Sequence, residues 1–218
     1  MRKRLIIVLL SIILFGCGPS SIEENPANNP LPVKTSADST LMSESVINVS
    51  NLDDFLFRED TYYVDTREIN QWLEEGHVAG FLNIPFYQAI ANIKTSTDVL
   101  YSFDRIRDAG GNVIFSLGEP GSFSANYEES LSILNAIFPK DKNIIFLSTA
   151  GVEASYLIAL LIQEGYDGSK LYNAGPFSNT VGNNVAYRDF KDAKYLIRGN
   201  NAYTLDYKIN FGELTPKK

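Results

Sequence analysis

The chain has one cysteine, one histidine and one tryptophan, and the first two shortages each remove a class of chemistry. A lone cysteine, Cys17, permits no intramolecular disulfide and leaves no second thiol for redox work. A lone histidine, His77, with no Cys/His/Asp cluster at ligand spacing, leaves no zinc motif, and no metal or other cofactor is expected. Cations are also short: 19 Lys and Arg stand against 26 Asp and Glu, a net charge of −7. Without a basic stripe the chain has no electrostatic footprint for nucleic acid. The longest apolar run, from Leu5 to Phe15, falls short of the about 20 residues that a membrane-spanning helix needs. Gly118-Glu119-Pro120-Gly121 lacks the Gly-Lys-Ser/Thr ending of a phosphate loop and reads as a turn.

That short run is informative in its context. Arg2, Lys3 and Arg4 precede it and Gly16-Cys17 closes it, the charged and apolar regions of an export signal over residues 1–16. Leu14-Phe15-Gly16-Cys17 resembles a lipobox, the bacterial lipoprotein signal whose cysteine is acylated, palmitate included, and becomes the first mature residue. The resemblance implies a cell-envelope protein held on the exported side of a membrane through Cys17. Loss of the three leading basic residues leaves sixteen basic against twenty-six acidic side chains, a net −10, so the lipid and not headgroup attraction would be the anchor. Residues 17–45, rich in Pro, Asn, Ser and Thr, read as a flexible tether.

From Val46 the pattern is that of a folded domain. Val46–Val49 and Tyr62–Val64 read as strands, with Ser50 capping a helical turn through Leu52, Phe55 and Leu56. Ile69, Trp72 and Leu73 carry helical spacing up to a stop at Gly76. Residues 86–142 are expected to hold an insertion with a helical stretch at Tyr87–Ile93, a strand at Asn112–Leu117 and a helix burying Leu131, Leu134 and Ile137. Asn143–Leu147 is almost wholly apolar, as a strand covered on both faces would be. Val152–Glu164 forms a helix with a broad apolar face, and Leu171-Tyr172 a last central strand. Strands alternating with helices at this spacing predict an α/β fold with a mostly parallel central sheet flanked by helices in three layers. Beyond about residue 177, Tyr203 to Phe211 alternates apolar and polar residues, an added C-terminal edge strand.

Two blocks in this order resemble the rhodanese-like domain. Asp65-Thr66-Arg67, followed by Gly76-His77-Val78-Ala79-Gly80-Phe81 and Asn83-Ile84-Pro85, is similar to that family's upstream signature. Ile144–Glu164 with Gly165-Tyr166 and Tyr172–Gly175 is similar to its active-site strand, loop and helix. The resemblance implies that residues 46–212 form a rhodanese-like domain. It also implies structural roles for Asp65, Arg67, His77 and Gly80, the first two as an ion-paired brace.

The loop itself departs from the family pattern of Cys-x-x-Gly-x-Arg. Aligned on Gly151, Ser148 takes the cysteine position and Glu153 the arginine position, with Thr149, Ala150 and Val152 between and beside them. Sulfur carriage needs a low-pKa thiolate, which a hydroxyl cannot replace. A strand–turn–helix aims backbone N–H groups and a helix N-terminus at one point, worth about 1 kcal/mol to an anion. A carboxylate facing that point costs it on the order of several kcal/mol at ~5 Å. The expected protein is therefore a catalytically degenerate, lipid-anchored binding module for an unnamed protein or small molecule. The alternative is a hydrolase-type enzyme using Ser148, or the 148–151 amides, as nucleophile or oxyanion site, with His77 and Asp65 completing a relay.

Overall fold

The computed structural model describes residues 29–93, 98–105, 107, 109–111, 121–199 and 208–217. The export signal, Cys17, the expected strand at 112–117, most of the 118–121 turn and most of the 203–211 alternation lie outside them.

A four-stranded parallel sheet forms the centre, in the order β3-β1-β7-β8, from β1 (Thr61–Asp65), β3 (Leu82–Asn83), β7 (Asn143–Ser148) and β8 (Leu171–Pro176). The period-2 alternation of a strand decides which core each residue joins. Val64, Ile144, Phe146 and Leu171 face a core shared with Leu157, Ile158 and Leu161 of α3 (Val152–Gln163) and with Ile133 and Leu134 of α2 (Ser130–Ile137). Tyr63, Ile145, Leu147 and Tyr172 face a second core with Leu52, Val78, Phe81 and Tyr187. The chain is an α/β fold with apolar layers on both faces of its sheet.

From β1 the chain passes through α1 (Ile69–Glu75) to β3 on one side. From β7 it passes through α3 to β8 on the other. α2 and α3 cover one face of the sheet, and the 3₁₀ turn at Leu52–Phe55 with Val78, Phe81 and Tyr187 covers the other. The order also reverses between β1 and β7, and the crevice beyond the carboxyl ends of two such strands is where open α/β sheets bind ligands.

The remaining strands form smaller sheets. β2 (His77–Val78) pairs antiparallel with β9 (Leu196–Ile197). In the insertion, β4 (Ala91–Ile93) pairs parallel with β5 (Tyr101–Phe103), and β5 antiparallel with β6 (Phe123–Ala125).

Several local expectations are corrected. Val46–Val49 is not a strand: Asn51 Oδ1 accepts from the Asn48 N–H (2.8 Å) and Asn48 O from the Leu52 N–H (2.9 Å), winding the chain into a short 3₁₀ turn at Leu52–Phe55 without a Ser50 cap. The helical stretch stops at Ile90, where Ala91–Ile93 joins the small sheet. Leu131 is 41% exposed, and Ile133 takes its place in the core. Phe211 begins a 3₁₀ turn, Phe211–Glu213, instead of ending a strand. β8 is an edge strand of six residues, and what covers it is the segment expected as a tether. The Ser155 hydroxyl and Asn173 Nδ2 donate to Thr40 O (2.8 and 3.0 Å), and Lys34 Nζ donates to Gly168 O (2.8 Å). The segment contributes the Thr40 carbonyl, the Lys34 amine and the isolated apolar side chains of Leu31 and Met42, so 29–45 packs with no apolar period to announce it.

Candidate functional site

The switch-point crevice lies between the loops that follow β1 and β7. Asp65 pairs in register with Leu147, and Leu147 O accepts from the Thr66 N–H (2.9 Å) and the Thr66 hydroxyl (3.0 Å). The β7 loop is held from two more directions. The Thr149 hydroxyl donates to Gln71 Oε1 of α1 (3.2 Å), and Ser148 O and Thr149 O accept from the N–H groups of Phe177 (2.8 Å) and Asn179 (2.9 Å). Gly151 closes the turn at φ +84°. A Cβ there would sit 2.8 Å from Met42 Sδ, which would have to move aside, and the left-handed backbone favours glycine.

Two polar side chains meet in this crevice. Ser148 is 0% exposed, continues the β7 alternation toward the α3 face, and its Oγ has no hydrogen-bond partner; Glu153 Oε2 is likewise buried and unpartnered. Glu153 therefore faces inward. Burial pushes its carboxyl above the usual glutamate range. Its own N–H and the nearby Ser148 hydroxyl pull it back, while Asp65 and Glu68 push it further up. The carboxyl also reaches electrostatically to Tyr87 and Tyr156, raising both phenols beyond what burial does, with Arg105 opposing it. The positive end of α3 thus holds a carboxyl of its own chain.

Asp65 and Arg67 form a buried ion pair, both side chains fully enclosed, with Arg67 Nη2 2.7 Å and Nε 3.0 Å from the carboxylate oxygens. The guanidinium also donates to Gly76 O (2.7 Å) and Ser178 Oγ (3.3 Å), meets Glu75 at 3.3 Å and lies 3.6 Å over the Phe177 ring. One side chain therefore ties the end of β1 to α1 and to the segment after β8. Glu75 and Ser178 were not singled out by the sequence; the acid closing α1 is the only local signal, and its pairing spans 103 residues.

His77 stacks on Trp72 (3.7 Å between centroids, 12° between planes), and its Nδ1 is buried without a partner. Gly80, at φ +83°, turns the chain from β2 to β3 against Phe57. A hydrolytic relay needs Ser148 bonded to His77 and His77 to Asp65. Neither bond is present, and the Asp65 carboxylate is taken by Arg67. Among the described residues no group of three or more His, Cys, Asp or Glu is placed to hold a metal ion, and no helix is long and apolar enough to cross a membrane.

The state of His77 makes a prediction. Burial lowers its pKa from 6.5 to about 4, with Asp65 opposing and Arg67 assisting. A depressed folded pKa gives stability that is present above pH 6.5 and lost as pH falls toward 4, on the order of 2–3 kcal/mol. Urea unfolding of His77→Gln should show a shallower loss than the parent chain across that window; parallel curves would contradict it.

No model of a known protein family matches the chain, and no curated protein matches it.

Proposed function

We propose that the chain is an exported, lipid-anchored, rhodanese-like protein that has lost sulfur transfer and serves as a non-catalytic binding module. The observation that carries this reading is the pair at the switch point: a serine hydroxyl and an inward-facing carboxyl occupy the positions where the chemistry needs a thiolate and a cation. The strand–loop–helix layout and the Asp65–Arg67 brace support the family assignment. Retention of that scaffold without its reactive atoms supports docking over turnover. The bilayer is one partner, through acylated Cys17; the other is a protein or small molecule.

The test is thiosulfate:cyanide sulfurtransferase activity of the intact chain. The expected rate equals that of boiled protein, and turnover clearly above it overturns the reading. The anchor is tested separately by Cys17→Ala, expected to move the protein from the membrane fraction to the soluble one. Unchanged fractionation would refute acylation.

A further inference from the structure

A cavity of about 220 Å³ opens past the carboxyl end of β8, between Ala174–Pro176, the turn at Asn48–Ser50 and the segment at Asn183–Val185. No residue of Ser148–Glu153 lines it, although Met42 of its lining also packs against Gly151, and its chemistry does not rest on the reading of that loop. Its lining has no charged residue, in a chain where 21% of residues are charged. An ionic ligand would enter without a counter-charge and lose its hydration uncompensated.

The polar lining consists of amides and a hydroxyl. Asn48 Oδ1 accepts from the Ser50 N–H (3.0 Å) and hydroxyl (2.5 Å). The side chains of Asn183 and Asn184 take no hydrogen bond from or to another described residue. An apolar ligand would strip water from these amides and give nothing in return. Phe190 and Met42 supply an apolar wall, and Val185, 43% exposed, lies at the rim. The volume is below the roughly 300–1,000 Å³ that drug-sized ligands fill, so the occupant is about one ring in size.

We propose that this cavity is a binding site for a single neutral sugar ring. Side-chain amides donate and accept at adjacent atoms, matching neighbouring hydroxyls that do the same. The C–H face of a pyranose would lie on the Phe190 and Met42 wall.

The test is a nitrogen-15 NMR titration of the intact chain in a sugar-free detergent. The probes are methyl glycosides of glucose, galactose and N-acetylglucosamine, with acetate and N-acetylglycine amide as comparators. At least one glycoside is expected to give saturable shifts at the amides of Ser50, Ala174 and Asn184, with no saturable response to either comparator. Asn183→Ala, at an exposed position, and Asn184→Ala, at a half-buried one, should each weaken that binding about fivefold, and Val185→Lys should weaken it more than tenfold while the remaining spectrum keeps its dispersion. Absence of saturation by every glycoside overturns the proposal, as does binding indifferent to all three variants or a comparator saturating the same amides.

Discussion

Arg67→Met is expected to lower the unfolding free energy by about 3–5 kcal/mol, because it leaves the Asp65 carboxylate buried and unpaired. Asp65 and Arg67 are enclosed completely and meet through two guanidinium nitrogens. Removing the cation also frees Gly76 O from its donor and takes the planar group off Phe177. A domain of this size has only about 5–15 kcal/mol in total, so the variant should unfold at a much lower urea concentration. Arg67→Lys should lose less, since it keeps the charge while losing the two-pronged contact. Asp65→Asn combined with Arg67→Met should recover part of the loss, because no buried charge is then left alone. Equilibrium urea unfolding with unchanged m-values checks all three; a loss under 1 kcal/mol for Arg67→Met would mean the pair is not the brace.

Ser148→Cys, made with Cys17 replaced by serine so that one thiol is followed, is expected to give a sluggish thiol. Burial and the facing Glu153 carboxylate both disfavour a thiolate there. Adding Glu153→Gln should speed labelling by an aromatic disulfide at neutral pH by about 10- to 100-fold. One like charge at ~5 Å in an effective dielectric near 20 is worth roughly 2–3 kcal/mol of thiolate stability. The rate-against-pH profile separates this from a change in access. A lowered thiol pKa moves the midpoint of the profile, while a loosened loop raises the plateau and leaves the midpoint fixed. An unmoved midpoint would show that Glu153 does not face position 148.

The architecture was legible because its signals are local. The unbroken apolar run of β7, the three-then-four spacing of α1 and α3 and the glycines at 76, 151 and 165 each report on a few adjacent residues. Glu153 was marked by its place in the loop pattern, but its inward direction was not, since an acid in the first turn of a helix is equally at home in water. The order of strands, with β8 at an edge, was out of reach for the same reason: pairing is a long-range property. The packing of 29–45 rests on isolated contacts, among them the Thr40 carbonyl, the Lys34 amine, Leu31 and Met42, which share no period, so composition alone reads as a tether. Leu131 shows the reverse error, an apolar residue assigned to a core that Ile133 fills.

Central to the proposed loss of sulfur transfer is one carboxyl, that of Glu153 at the start of α3. Its raised pKa implies that the folded chain takes up a proton more readily than the unfolded one. Stability from this group is then full below about pH 4.5 and falls as pH climbs through the folded value, opposite in sense to His77. The most direct measurement is a carbon-13 NMR titration of the Glu153 carboxyl in the intact chain. The expected midpoint lies above the ordinary glutamate value, held there chiefly by burial. A midpoint at or below the ordinary value would put the carboxyl in water or against a cation, and would contradict a loop filled by its own chain.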